Sequence, residues 1–380
     1  MSIPANKDEA LERIQGLVHS FKKNEANYTS SGSKYNETQV RTDFITPLLE
    51  AFGWDVYNTT NQPLDLREVF EEATVEVGEE KLSKKPDYEL RVARQRKYFV
   101  EAKKPSVNIQ SVRAAAFQVR RYGFSASLPI SVLTNFYQLV IYDCVHVPSE
   151  GDEAHVARID IYTYDEFETK FNELYQRLSR ESVYSGEFDK IYDVGVTRHG
   201  THQFDDHFLK QVRDWRIRLA QDIHQRNLGL SPEHLTYIVQ LFLSRIVFLR
   251  ICEDRDIEKY ETLREIGKGK TFSSLMRVLE EADNFYDSGL FDLMTDKRAG
   301  VEIGDDILNQ IIEELYYPQS PYTFAVVEAG VLGEIYEVFL GEVIQINKKG
   351  NVETIEKPEV RESGGIVPTP QYIVSGILSR

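Results

Sequence analysis

Pro86-Asp87-Tyr88-Glu89-Leu90 is followed, after seven residues, by Tyr98-Phe99-Val100-Glu101-Ala102-Lys103. Each stretch is a short apolar run with charge at one end, and the residues between them are rich in arginine and lysine. The pattern predicts two strands, 88–93 and 98–102, joined by a basic turn. On a strand, side chains two residues apart point to the same face. Glu101 and Lys103 therefore share a face, while Val100 and Ala102 turn to the other. Asp87 stands at the start of the first strand, fourteen residues before Glu101. Such a hairpin brings two carboxylates and one ammonium to one end of a sheet.

That grouping has two readings. An Asp/Glu pair can hold Mg²⁺, a hard cation that takes oxygen ligands, and a neighbouring lysine can orient or deprotonate a water. Metal-assisted phosphodiester hydrolysis requires these parts. The other reading is a plain hairpin with charges on its solvated face, because three polar residues at loose spacing recur by chance. Whole-chain charge is −16, from 45 basic and 61 acidic residues, which argues against a nucleic-acid binder. Between Lys81 and Arg121, however, stand twelve basic residues and three acids, a local charge of +9. Two of those acids are Asp87 and Glu101. A cationic patch around a metal site suits a polyphosphate backbone; a solvated basic hairpin is again the alternative.

The remainder reads as a chain of 380 residues, long enough for two or three domains. No run of eighteen apolar residues occurs, so no membrane span is expected. The first residues lack the basic and apolar regions of a secretory signal. Cys144 and Cys252 are the two cysteines, too few for a disulfide framework or a cysteine zinc site. These features predict a cytoplasmic protein. Helical periodicity is expected over 8–23, over 36–52 with Gly53 closing the helix, and over 107–121 and 167–178. Strands are expected from Trp54, over 69–77, and in the almost continuous apolar runs 130–134 and 139–143. Beyond about residue 179 helices dominate, at 208–223, 232–252, 272–282, 305–315 and 331–340, and acids are plentiful.

Further residues gather around the hairpin. Glu37 precedes Arg41 by four, an i,i+4 pair on one helix face, although an acid in a first turn also suits the helix dipole. Gln118 and Tyr122 are likewise four apart on the helix after the hairpin. Taken with Phe44-Ile45-x-Pro47-Leu48-Leu49, Gly53-Trp54, Pro86-Asp87-Tyr88, Glu101-Ala102-Lys103-Lys104-Pro105 and Thr134-Asn135…Tyr142-Asp143, they resemble the PD-(D/E)xK nuclease superfamily. More closely, they resemble the N-terminal nuclease domain of type IIG restriction–modification enzymes and of type I restriction subunits.

The resemblance implies an α/β PD-(D/E)xK restriction-endonuclease-like core, a mixed sheet flanked by helices, over residues 1–180. An all-α connector would follow over 181–355. In the family the aspartate and glutamate ligate Mg²⁺, the lysine serves the attacking water, and a Gln/Tyr helix supports the site. Those roles fall on Asp87, Glu101, Lys103, Gln118 and Tyr122, with Glu37 as a further metal or water contact. Arg245–Arg255, also similar to the type IIG connector, reads equally as a salt-bridged structural helix. The segment Arg361-Glu362-Ser363-Gly364-Gly365-Ile366-Val367-Pro368-Thr369-Pro370 resembles the opening motif of N6-adenine methyltransferases, with Val367-Pro368 in place of the usual Tyr-Tyr. No Gly-rich cofactor loop or Asn-Pro-Pro-Tyr follows it. Residues 356–380 thus read as the truncated start of a methyltransferase, and S-adenosylmethionine is expected only in a full-length enzyme. Double-stranded DNA is the expected partner and site-specific type II deoxyribonuclease the expected class. A catalytically inactive DNA-binding or scaffold module of a phage-defence methyltransferase is the rival reading.

Overall fold

The structure, a computed structural model, describes residues 3–72, 85–192, 203–267, 270–286, 301–327, 333, 335, 339 and 341–357. Two compact units divide the chain: Met1–Phe204 with Pro321–Val326, and Asp205–Ser320 with Val327–Arg380. The first unit runs past the boundary expected at residue 180.

In the first unit α1 (Lys7–Thr29) is capped by Asn6, which accepts from the Glu9 amide, and buries Ala10, Ile14, Val18 and Phe21 along one stripe. Asn36 and Gln39 form a capping box that starts α2 (Glu37–Val40). The helix then passes through a π turn, Arg41–Ile45, into α3 (Thr46–Ala51). Gly53, at φ +90°, takes the left-handed turn that ends it. No strand begins at Trp54. The Asp55 carboxylate instead accepts from the amides and hydroxyls of Thr59 and Thr60, which folds the chain back on itself.

The sheet has six strands in chain order: β1 (Val69–Glu71), β2 (Tyr88–Val92), β3 (Gln95–Ala102), β4 (Ile130–Thr134), β5 (Gln138–Asp143) and β6 (Arg158–Thr163). β1 is shorter than the strand expected over 69–77, whose residues 73–77 lie outside the described residues. β3 and β4 are parallel and the other neighbours antiparallel. The parallel pair needs a crossover, supplied by α4 (Arg113–Ser125). This helix starts later than expected because Asn108 accepts from the Gln110 amide and its carbonyl takes Ser111, holding 107–112 in turns.

One face of the sheet packs Tyr98, Val100, Ala102, Val132 and Ile141 against α1, α3 and α5 (Phe171–Leu178). On the other face Leu133, Val140 and Tyr142 meet Ala115, Ala116 and Val119 of α4. Phe99 packs there with Tyr122, Leu128 and Val326. Gly123 lets α4 lie this close, since a Cβ at that position would collide with Ser131 and Cys144. A mixed sheet flanked by helices is therefore present, as expected. α6 (Arg180–Ser185) and α7 (Glu187–Ile191) belong to the same unit. So does the returning segment Pro321–Val326: Arg121 donates to the Tyr322 carbonyl, Arg96 to the Val326 carbonyl, and the Thr323 amide to Ser125 Oγ.

The second unit contains α8 (Gln203–Arg226), α9 (Pro232–Asp254), α10 (Thr262–Ile266), α11 (Thr271–Tyr286) and α12 (Asp305–Glu313). It is not all-α. The antiparallel hairpin of β7 (Glu342–Ile346) and β8 (Val352–Glu356) joins it, tied to α8 by Arg216, which donates to the Glu342 carbonyl at 2.8 Å. α9 is long and apolar enough to cross a membrane by length and composition, but 72% of that window is buried within the protein. Arg250 on α9 pairs with Asp254 at 2.6 Å and stacks 4.2 Å from the Tyr316 ring centroid, in line with the salt-bridged structural reading of this helix. Most of the helix expected over 331–340 and the methyltransferase-like segment 361–370 lie outside the described residues.

Candidate active site

β2 and β3 pair in the register Leu90↔Tyr98 and Tyr88↔Val100. Asp87 immediately precedes β2, at the end of the ladder where Glu101 follows Val100 on β3. Asp87 Oδ2 accepts from the Ala102 amide at 2.7 Å, the peptide between Glu101 and Lys103. Its Oδ1 accepts from Arg41 Nη1 at 2.9 Å. The arginine is itself only 8% exposed. It donates to Tyr88 Oη at 3.3 Å and to the Glu72 carbonyl at 3.1 Å, and lies 4.9 Å from the Tyr88 ring centroid. A second carboxylate, Glu71, stands 4.0 Å from its Nη2.

Glu101 is 2% exposed. Lys103 Nζ donates to Oε1 at 2.7 Å, as the shared strand face requires. Oε2 is buried and has no hydrogen-bond partner among the described residues. Burial, reinforced by the Asp87 charge, pushes the Glu101 carboxyl up to about 8 against the opposing pull of Lys103. Burial works to lower Lys103, but Glu101 and Glu37 outweigh it and hold the ammonium above its ordinary value. Glu37 is half-buried at the start of α2; burial raises its carboxyl, Lys103 opposes the rise and Asp87 adds to it.

Four of the six residues singled out by sequence, Glu37, Asp87, Glu101 and Lys103, thus act on one another. Gln118 and Tyr122 are paired instead with each other, Gln118 Nε2 donating to Tyr122 Oη at 2.8 Å. Tyr122 is buried against Phe99, two residues before Glu101 on the same strand face. Arg41 was noted in the sequence only as a helical partner of Glu37. The π turn is a common device at functional sites, and the guanidinium carried on it reaches Asp87.

The donor set suits a hard cation. Among the described residues no three His, Cys, Asp or Glu side chains form a ready-made metal cage. Mg²⁺ seldom uses one; it is typically held by one or two carboxylates and completes its shell with waters and substrate phosphates. Asp87 and Glu101 supply that pair, and Glu101 Oε2 is a buried acceptor awaiting a partner.

The basic patch is a different matter. Arg91 and Arg96 are both spent on Glu89, Arg94 on Asp65 and Lys97 on Asp189. Arg113 pairs with Glu153 and Arg120 with Asp152. Lys81 and Lys84 lie outside the described residues. Arg94, Lys97, Arg113 and Arg120 are thus offset by acids from outside the linear window, and Arg91 and Arg96 share Glu89 within it. The cations that bear on the site are Arg41, Lys103 and the exposed Lys104.

The raised Glu101 carboxyl has a consequence for stability. An unfolded glutamate loses its proton near 4.5, whereas the folded protein keeps it until about 8. The stability this proton confers is therefore complete below about 4.5 and is lost as pH rises through 8. Glu101→Gln, an isostere of the protonated acid, is expected to stabilise the chelated protein at pH 8 by on the order of a few kcal/mol and to leave it unchanged at pH 4.5. Thermal melts in EDTA across that range check it; parallel melting curves at all pH values would contradict the assignment.

Restriction–modification enzymes of type II are the proteins against which these residues can be set. The chain is similar over 380 residues, at 42% identity, to the type II restriction enzyme and methyltransferase RM.Eco57I of Escherichia coli. The match takes in 98% of this chain and 37% of that protein, in its N-terminal part. The kinship with type IIG restriction–modification enzymes expected from the motifs is borne out by this similarity. No protein-family model matches the chain, and no solved structure matches it.

Proposed function

We propose that the first unit is a Mg²⁺-dependent DNA endonuclease domain of the PD-(D/E)xK kind, working within a restriction–modification enzyme. One observation carries the reading: Asp87, just before β2, accepts from the Ala102 amide next to Glu101 on β3, Lys103 grips one oxygen of Glu101, and the other is buried and unpartnered. The similarity to RM.Eco57I supports the restriction–modification role and DNA as partner. When bound, Mg²⁺ supplies Lewis-acid polarisation of a phosphate oxygen and a more acidic water. Asp87 and Glu101 would hold it. The chain's own contributions follow from the geometry. Arg41 and the Ala102 amide fix the plane of Asp87. Lys103, kept charged, aligns a water or offsets charge building on the phosphate. Glu37 faces the same charges from α2 and is placed to contact the water shell. Gln118 and Tyr122 support the sheet behind Glu101. We assign no S-adenosylmethionine site to the described residues.

With Arg91, Arg94, Arg96, Lys97, Arg113 and Arg120 paired internally among the described residues, fewer cations are left for phosphate than the linear count suggests. Residues 1–380 are expected to bind duplex DNA weakly and without preferred sequence, with affinity falling steeply as salt rises, because each phosphate contact releases counterions. Among the described residues no recognition helix or finger motif is identified that would offer base readout. Competition among randomised duplexes at fixed salt tests this; enrichment of one defined site would place a specificity element inside the chain.

A further inference from the structure

Arg41 occupies the position where a cation most directly opposes a metal. Its Nη1 lies 2.9 Å from Asp87 Oδ1, so one proposed ligand already carries a full positive charge in contact. Lys103 does the same to the other, at 2.7 Å from Glu101 Oε1. The two cations differ in freedom. Lys103 ends a flexible four-carbon stem and can swing away. Arg41 cannot: it is held by Asp87, by Tyr88 Oη, by the Glu72 carbonyl and by the Tyr88 ring beneath it, on two separate stretches of chain. It is a fixed charge built into the site.

We propose that Arg41 sets the divalent-cation affinity of the Asp87/Glu101 pair, holding it low in the free protein so that metal loading depends on the negative charge a phosphodiester brings. This rests on the endonuclease reading above. A charge in contact with a carboxylate changes its affinity for a proton by about 10- to 1000-fold, and a dication feels the same charge at least as strongly. Coupling is reciprocal: if DNA raises metal affinity, metal raises DNA affinity by the same factor. Arg41 thereby makes an unloaded, DNA-free site the resting condition.

Mn²⁺ alone is the probe, titrated into the chelated and then desalted full chain, with free Mn²⁺ read by electron paramagnetic resonance in the absence of DNA. Arg41→Gln, which keeps hydrogen-bond donors but removes the charge, is expected to bind Mn²⁺ about tenfold or more tightly than the unsubstituted chain. Arg41→Lys, which keeps the charge, is expected to stay within about threefold of it. The rise of melting temperature at a given free Mn²⁺ should be larger for Arg41→Gln than for the unsubstituted chain, because stabilisation grows with the logarithm of affinity. Equal or weaker binding by a folded Arg41→Gln overturns the proposal; so does tenfold tighter binding by Arg41→Lys, which keeps the test open if the glutamine variant does not fold. The endonuclease reading has its own control. Glu101→Gln should abolish Mn²⁺ binding, and if it does not, the metal site itself is misplaced, whatever Arg41 does.

Discussion

Removing either carboxylate, as Asp87→Ala or Glu101→Ala, is expected to lower Mg²⁺-dependent nicking of plasmid DNA by the full-length enzyme about a thousandfold or more, the scale of losing a principal source of charge stabilisation. The two variants should differ in stability. Glu101 is held by one hydrogen bond and strains against its burial, so its loss costs the fold little. Asp87 is the contact partner of a buried arginine, and deleting one member of such a pair costs about 3–5 kcal/mol. Asp87→Asn, which keeps an oxygen for Arg41, is the cleaner comparison. Circular dichroism melts separate the two effects from loss of chemistry. Nicking at the unsubstituted rate by a folded variant would falsify the site assignment.

Lys103→Arg is expected to lose most cleavage, about a hundredfold, while retaining Mn²⁺ binding. The ammonium sits 2.7 Å from Glu101 Oε1 in a half-buried position where a compact point charge fits. Guanidinium is planar, larger and permanently protonated. It preserves attraction to Glu101 but cannot share a water in the same geometry or give up a proton. Near-normal turnover in a plasmid assay would mean that position 103 supplies positive charge alone.

How much of this could be read in advance depended on distance along the chain. The Glu101–Lys103 contact follows from strand parity, and the meeting of Asp87 with Glu101 follows from a hairpin whose turn lies midway between them. Both are local. Arg41 escaped because its partner lies 46 residues away and because nothing in Arg41-Thr42-Asp43-Phe44-Ile45 announces a π turn. The same limit misled the charge count. Arg94, Arg120 and Lys97 find carboxylates 29, 32 and 92 residues distant, outside any window drawn around them. β6 went unseen because Arg158 and Asp160 interrupt its apolar residues. The β7–β8 hairpin lay in a stretch dominated by helical periodicity, and its pairing is set by a turn at Gly350, φ +79°, rather than by a long apolar run.

Pro321–Val326 gives the first unit a history as well as a shape. Val326 fills the contact between Phe99 and Tyr122, and two arginines of the sheet and its helix hold the segment's carbonyls. A gene cut after α7 would therefore encode every proposed catalytic residue yet leave out a piece of the unit that carries them. Shuffling this unit onto another partner would require the six distant residues to travel with it, or a substitute to be found. Inheritance of the two units as a single block is the simpler route, and the 42% identity that runs through both to RM.Eco57I is what such joint descent leaves behind.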